Sequence, residues 1–184
     1  MKIAPLVVLA IVGALAIAQQ QPPSARTPSS TTDHALASAQ MRSIADLLKG
    51  AWAITWIDLN GRVIGSGEEV WTVAPGGSAL IEENRSKVNG ELAEDYAAMW
   101  WDNKAQKVHG IWCDPTINDE GCSGFDVTLE GKDVVLQGEW EYQSKRQAWR
   151  EVFSGTPAAM TQTLYIGEPG KKLKVATIIR GAKP

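Results

Sequence analysis

Two polar side chains lie on otherwise apolar faces, where they could orient a ligand. Glu151 falls between Trp149 and Phe153, and Gln162 falls between Met160 and Leu164. Burial disfavours the charged form of a carboxyl, so a glutamate among aromatic rings is suited to proton transfer or to gripping one polar atom. A hydrogen-bonded core residue or an outward face is the plainer and commoner account of each. His109, on the stretch leading to Cys113, is the third polar candidate, and the other histidine, His34, sits in a polar tail. A nucleophile–base pair would need His109 beside a Ser or Thr, and the chain has no nucleophile elbow and no paired metal ligands. No catalytic or metal-binding residue is therefore assigned.

The chain has eight tryptophans, at positions 52, 56, 71, 100, 101, 112, 140 and 149. Each carries a large apolar area and one N–H that needs a partner when buried, so core packing is the ordinary use. The functional use is an aromatic pocket for an apolar or flat ligand. On that reading Trp56, Trp71, Tyr96, Trp100, Trp140 and Trp149 line it, with His109, Glu151 and Gln162 as polar contacts.

The elements that must position these residues are strands. A short helix comes first, because Met41, Ile44, Ala45 and Leu48 recur at helical spacing before Gly50. Strands are then predicted over Ala51–Asp58, Glu68–Ala74, Ser78–Ser86, Glu91–Asp102 and Gln106–Cys113. They continue over Gly124–Glu130, Asp133–Tyr142, Gln147–Ser154, Ala159–Gly167 and Lys171–Arg180. Turn residues such as Asn60-Gly61, Asn89-Gly90 and Pro169-Gly170 separate them. No connection is long enough for a crossover helix, so neighbours pair antiparallel in sequence order. About ten such strands leave two exposed edges unless they close on each other. The expected fold is all-β: a single antiparallel up-and-down barrel with the short helix closing one end. Trp52, Ile54 and Trp56 share a face by alternation, as do Trp71 and Val73, and Tyr96, Ala98 and Trp100. Leu136, Gly138 and Trp140 form another such set, and Trp149, Glu151 and Phe153 the last.

Ahead of the helix, residues 1–18 read as a signal peptide: Lys2, an apolar run from Ile3 to Ala16, and small residues at Ala16 and Ala18. That run is shorter than the roughly 20 residues a spanning helix needs. Residues 19–39, rich in Gln, Pro, Ser and Thr, read as a disordered spacer, which leaves residues 40–184 as the domain. A net charge of −3 with scattered Lys and Arg argues against a nucleic-acid or anionic-membrane surface. After export to the periplasm or beyond, Cys113 and Cys122 flanking a short loop are expected to form a disulfide.

Gly50-Ala51-Trp52 after a short helix resembles the Gly-x-Trp signature of the calycins, the lipocalin and fatty-acid-binding superfamily. Leu48 to Trp52, Glu69-Val70-Trp71, Trp100-Trp101-Asp102 and Gly138-Glu139 also resemble a group of bacterial exported lipocalin-like domains. The resemblance implies that Trp52 packs at the closed end with a terminal-strand cation, here Arg180, lying across it. A related group of ten-strand barrels binds haem through a histidine near the C-terminal end, where this chain has none, so no cofactor is expected and haem through His109 is a minor alternative. The function expected is binding of a small apolar or aromatic ligand in a Trp-lined cavity. The alternatives are an envelope protein-interaction domain with a filled barrel, or a small-barrel isomerase or cyclase.

Overall fold

The computed structural model describes residues 39–184, with the exception of Gly76 and Pro115. The expected signal peptide, His34 and all of the expected spacer except Ala39 lie outside the described residues. Helix α1 (Ala39–Leu48) is followed by ten strands: β1 (Gly50–Ile57), β2 (Val63–Val73), β3 (Ala79–Val88), β4 (Glu91–Asp102), β5 (Lys107–Cys113), β6 (Cys122–Glu130), β7 (Asp133–Tyr142), β8 (Lys145–Thr156), β9 (Ala159–Gly167) and β10 (Lys174–Ala182). Each pairs antiparallel with its sequence neighbours, and β1 also pairs with β10, so the sheet is a closed barrel. Closure leaves no strand edge unpaired. Among the described residues, no helix is long and apolar enough to cross a membrane.

Strand β2 begins earlier than the sequence suggests, at Val63, and runs through Gly65-Ser66-Gly67. Glycine usually weakens a strand, but here β2 and β3 approach too closely for a side chain. A Cβ at Gly67 would lie 2.3 Å from Ser86 Oγ. The short connections follow ordinary turn chemistry. Asn89 and Gly90 both have positive φ between β3 and β4, as a tight hairpin requires. Gln143 and Ser144 also take positive φ, without glycine's freedom. Their turn is braced from outside, with Ser144 N–H donating to Asp119 Oδ2 at 2.8 Å.

One end of the barrel is plugged. Met41, Ile44, Ala45 and Leu48 of α1 are buried in the same cluster as Trp52, Leu80, Met99, Val127 and Val134. Trp52 is fully enclosed, and its Nε1 donates to the carbonyl of Leu48 at 2.6 Å. The cation across its ring is Lys183, whose Nζ lies 4.6 Å from the ring centroid and donates to the Lys49 carbonyl at 2.8 Å. This corrects the expectation for Arg180. Arg180 pairs with Thr55 of β1 and is exposed, while its inward-facing neighbours Ile179 and Gly181 are buried. Alternation alone turns Arg180 out of the barrel.

Candidate functional site

The other half of the interior is hollow. A cavity of about 360 Å³ opens between the β3–β4 hairpin and the β5–β6 loop, within the size range of small-molecule sites. Alternation places its lining: Trp56 on β1, Glu69 and Trp71 on β2, Glu82 and Asn84 on β3, Asp95 and Ala97 on β4, and Trp112 on β5. Trp140 on β7, Trp149, Glu151 and Phe153 on β8, and Gln162 and Leu164 on β9 complete the wall. Of the residues singled out from sequence, Trp56, Trp71, Trp140, Trp149, Glu151 and Gln162 therefore meet in one chamber.

Tyr96, Trp100 and His109 do not join them. On β4 the buried phase is Ala97 and Met99, so Tyr96, half exposed, and Trp100 face outward. His109 lies between inward-facing Val108 and Gly110, which turns it out as well. Its Nδ1 is 3.0 Å from Asp126 and its Nε2 3.6 Å from Asp102. A ligand inside the barrel gets no imidazole from His109. Gly110 is inward by necessity, because the Phe125 ring covers it and a Cβ there would overlap the ring at 2.0 Å.

Two walls of different chemistry face each other. On β5, β7 and β8 the rings of Trp112, Trp140 and Trp149 cluster, with Trp140 and Trp149 stacked at 5.8 Å and 19° and Trp112 at 5.2 Å from Trp140. Phe125 packs edge-on against Trp149 at 5.7 Å. On β2, β3 and β4 stand three carboxyls, Glu69, Glu82 and Asp95, and β3 lies diametrically opposite β8 in the ten-strand ring. Glu151 rises beside Trp149 on the aromatic side.

Hydrogen bonds hold the carboxyls in place. Glu69 accepts from Trp71 Nε1 and from Gln162 Nε2. Asp95 accepts from Asn84 Nδ2 at 2.8 Å and Trp112 Nε1 at 3.2 Å. Asn84 in turn accepts from Ser86 Oγ at 2.7 Å, and Ser86 accepts from Trp56 Nε1 at 3.1 Å. One oxygen of Glu82 and the Nε1 of Trp149 are buried without a partner among the described residues. Such orphaned groups are rare in folded interiors and cost free energy unless a ligand or water meets them.

Enclosure raises every one of these carboxyls. Burial pushes Glu151 up to about 8, helped by the charges of Glu69 and Asp95. Glu69 is pushed up to about 7 by burial, against the pull of its two N–H donors. Asp95 rises to about 6 for the same reason, held lowest by Asn84 and Trp112. Glu82 is driven well above the carboxylate range by burial and by the charges of Asp95, Glu69 and Glu151.

The mouth is fixed by the disulfide between Cys113 and Cys122, which closes the β5–β6 loop. Inside the loop Asp114 Oδ1 accepts from Thr116 N–H at 2.7 Å, and Asn118 Nδ2 donates to Ser123 Oγ at 2.7 Å. Asp119 N–H donates to the Glu141 carbonyl at 2.7 Å, which ties the loop to β7. Asp114, Thr116 and Ile117 thereby become part of the rim.

Sequence reasoning missed Glu69, Glu82, Asn84, Asp95 and Trp112. Acids are mostly exposed, and that expectation hid a legible sign: Glu69 shares the alternating face of Trp71. No protein-family model matches the chain, and no curated protein sequence matches it. A closed ten-strand antiparallel barrel is consistent with a calycin-like barrel, and the likeness rests on that form.

Proposed function

We propose that this protein is an exported carrier or sensor that binds one small molecule with a large apolar or aromatic surface inside the barrel. The observation that supports this reading is the hollow mouth half, a cavity of about 360 Å³ into which five tryptophans project. Burying ligand surface against them contributes roughly 25 cal/mol per Å² of apolar area, and the carboxyls and Gln162 fix orientation. The Cys113–Cys122 disulfide is compatible with an exported protein. Trp140, Trp149 and Trp112 report occupancy directly. Titration with a panel of fatty acids, retinoids, isoprenoids and flat aromatics is expected to change tryptophan emission saturably for at least one class. Native mass spectrometry is expected to find a co-purified small molecule. An unchanged emission across the panel together with a bare mass spectrum would count against the reading.

A second reading has its own observation, the position of Glu151. A carboxyl pushed up to about 8 by burial and by the charge of Glu69 across the cavity is suited to passing a proton to and from a bound substrate. Should turnover of any cavity ligand be found, Glu151→Gln is expected to abolish it, and full activity in that variant would exclude the role.

A further inference from the structure

Building on the small-molecule reading, we infer that the ligand is an organic cation: an amine or ammonium on an apolar or aromatic body, its ring against the tryptophan wall and its nitrogen toward the acidic wall. The cavity wall and mouth hold six acidic residues, Glu69, Glu82, Glu91, Asp95, Asp114 and Glu151, and among the described lining residues there is no Lys, Arg or His. The acids come from four different strands and from the loop held by the disulfide, so their convergence is not one charged surface turned inward. Elsewhere on this protein acids have basic partners: Asp58 with Arg62, Glu94 with Arg85, Asp126 with Lys107, Glu139 with Arg146 and Glu130 with Arg150. The interior set lacks them.

A buried carboxylate without a counter-ion is costly, and proteins ordinarily pair or neutralise it. Hydrogen bonds from Asn84, Trp112, Trp71 and Gln162 satisfy Asp95 and Glu69 in part, but supply no charge. The buried Glu82 oxygen has no partner among the described residues. A cation entering from the mouth would answer both deficits, and the opposite wall offers its apolar body the clustered rings of Trp112, Trp140 and Trp149. An anionic ligand such as a fatty acid would bring a further negative charge into this set.

Three ligands sharing one naphthyl body separate the possibilities: 2-(1-naphthyl)ethylamine, 2-(1-naphthyl)ethanol and 1-naphthylacetate. Calorimetry on the full mature chain near pH 7.5 is expected to show the amine binding about tenfold or more tighter than the alcohol, with the carboxylate weakest. The amine is also expected to gain affinity from about pH 6 to pH 8, as Asp95, Glu69 and Glu151 lose their protons, and to release protons on binding. The Glu69→Gln and Glu151→Gln double variant keeps the shape of the wall. It is expected to abolish the amine's advantage over the alcohol, and an advantage that survives in this variant would overturn the inference. If the alcohol or the carboxylate binds as well as the amine, the cation inference is overturned and the small-molecule reading stands. If all three are silent but a neutral member of the emission panel binds, the inference is again overturned alone. If both sets are silent and the native mass spectrum is bare, both readings fall.

Discussion

The two halves of the barrel interior are made by the same strands and filled on opposite principles. Toward α1 the inward positions are Trp52, Leu80, Met99, Val108, Val127 and Val134, all essentially without solvent contact and none of them charged. Toward the mouth the same strands turn in Glu69, Glu82, Asp95 and Glu151 around a void. Along β3 the change takes two residues, from Leu80 to Glu82. The plugged half provides the cohesion; the hollow half carries buried carboxyls that cost stability.

The largest test of this contrast is Trp52→Ala. Removing a fully buried indole from the plugged end is expected to cost about 3–5 kcal/mol in denaturant unfolding, or to prevent folding. A loss no larger than that of a surface substitution would mean the plug is not the foundation. Next comes the disulfide: reduction, or Cys113→Ser with Cys122→Ser, is expected to lower stability by roughly 2.7 kcal/mol through a freed loop of about ten residues. The change should be felt at the mouth, with amide exchange faster at Asn118 and Gly121 and unaltered in α1.

The hollow half should reveal itself through pH. Glu151, Glu69 and Asp95 have folded values of about 8, 7 and 6, above their unfolded ones. The folded state therefore holds more protons, and stability is lost as pH rises through those values. The outer acids Asp58, Asp102 and Asp126 are shifted downward by backbone N–H groups or Lys107, and act only in the acid range below. Melting temperature is thus expected to fall between about pH 5 and pH 8.5. Glu151→Gln is expected to be more stable than the parent at the alkaline end and equal to it at the acid end. A variant offset that is constant with pH would refute the buried-carboxyl account. The smallest effect is Lys183→Ala, expected to cost about 0.5–1 kcal/mol through the lost contact over Trp52, whereas Arg180→Ala changes little.

Much of the fold was legible because antiparallel neighbours need only local signals. Turn residues and alternation located all ten strands, and the spacing of Met41, Ile44 and Leu48 located the helix. Boundaries failed where tertiary contact overrides propensity, as at Gly65 and Gly67, whose bare backbones serve the close approach of β3. The site was half legible. Tryptophans and the Glu151 and Gln162 positions carried the right phase, but Tyr96 and Trp100 drew attention to the wrong face of β4. There Asp95, one residue away, faces the cavity although its type argues for solvent. Arg180 misled for a related reason: a cation was correctly expected over Trp52, and the strand's alternation passed that position to Lys183, beyond the end of β10.

The Lys183 contact also places the described chain ends. The first residues of α1 and the last of the chain both leave from the plugged end, and the cavity opens at the far one. A support attached through the C-terminus would therefore hold the barrel mouth-outward, with its opening facing the medium. Fusions or surface coupling on that side can be made without obstructing whatever enters.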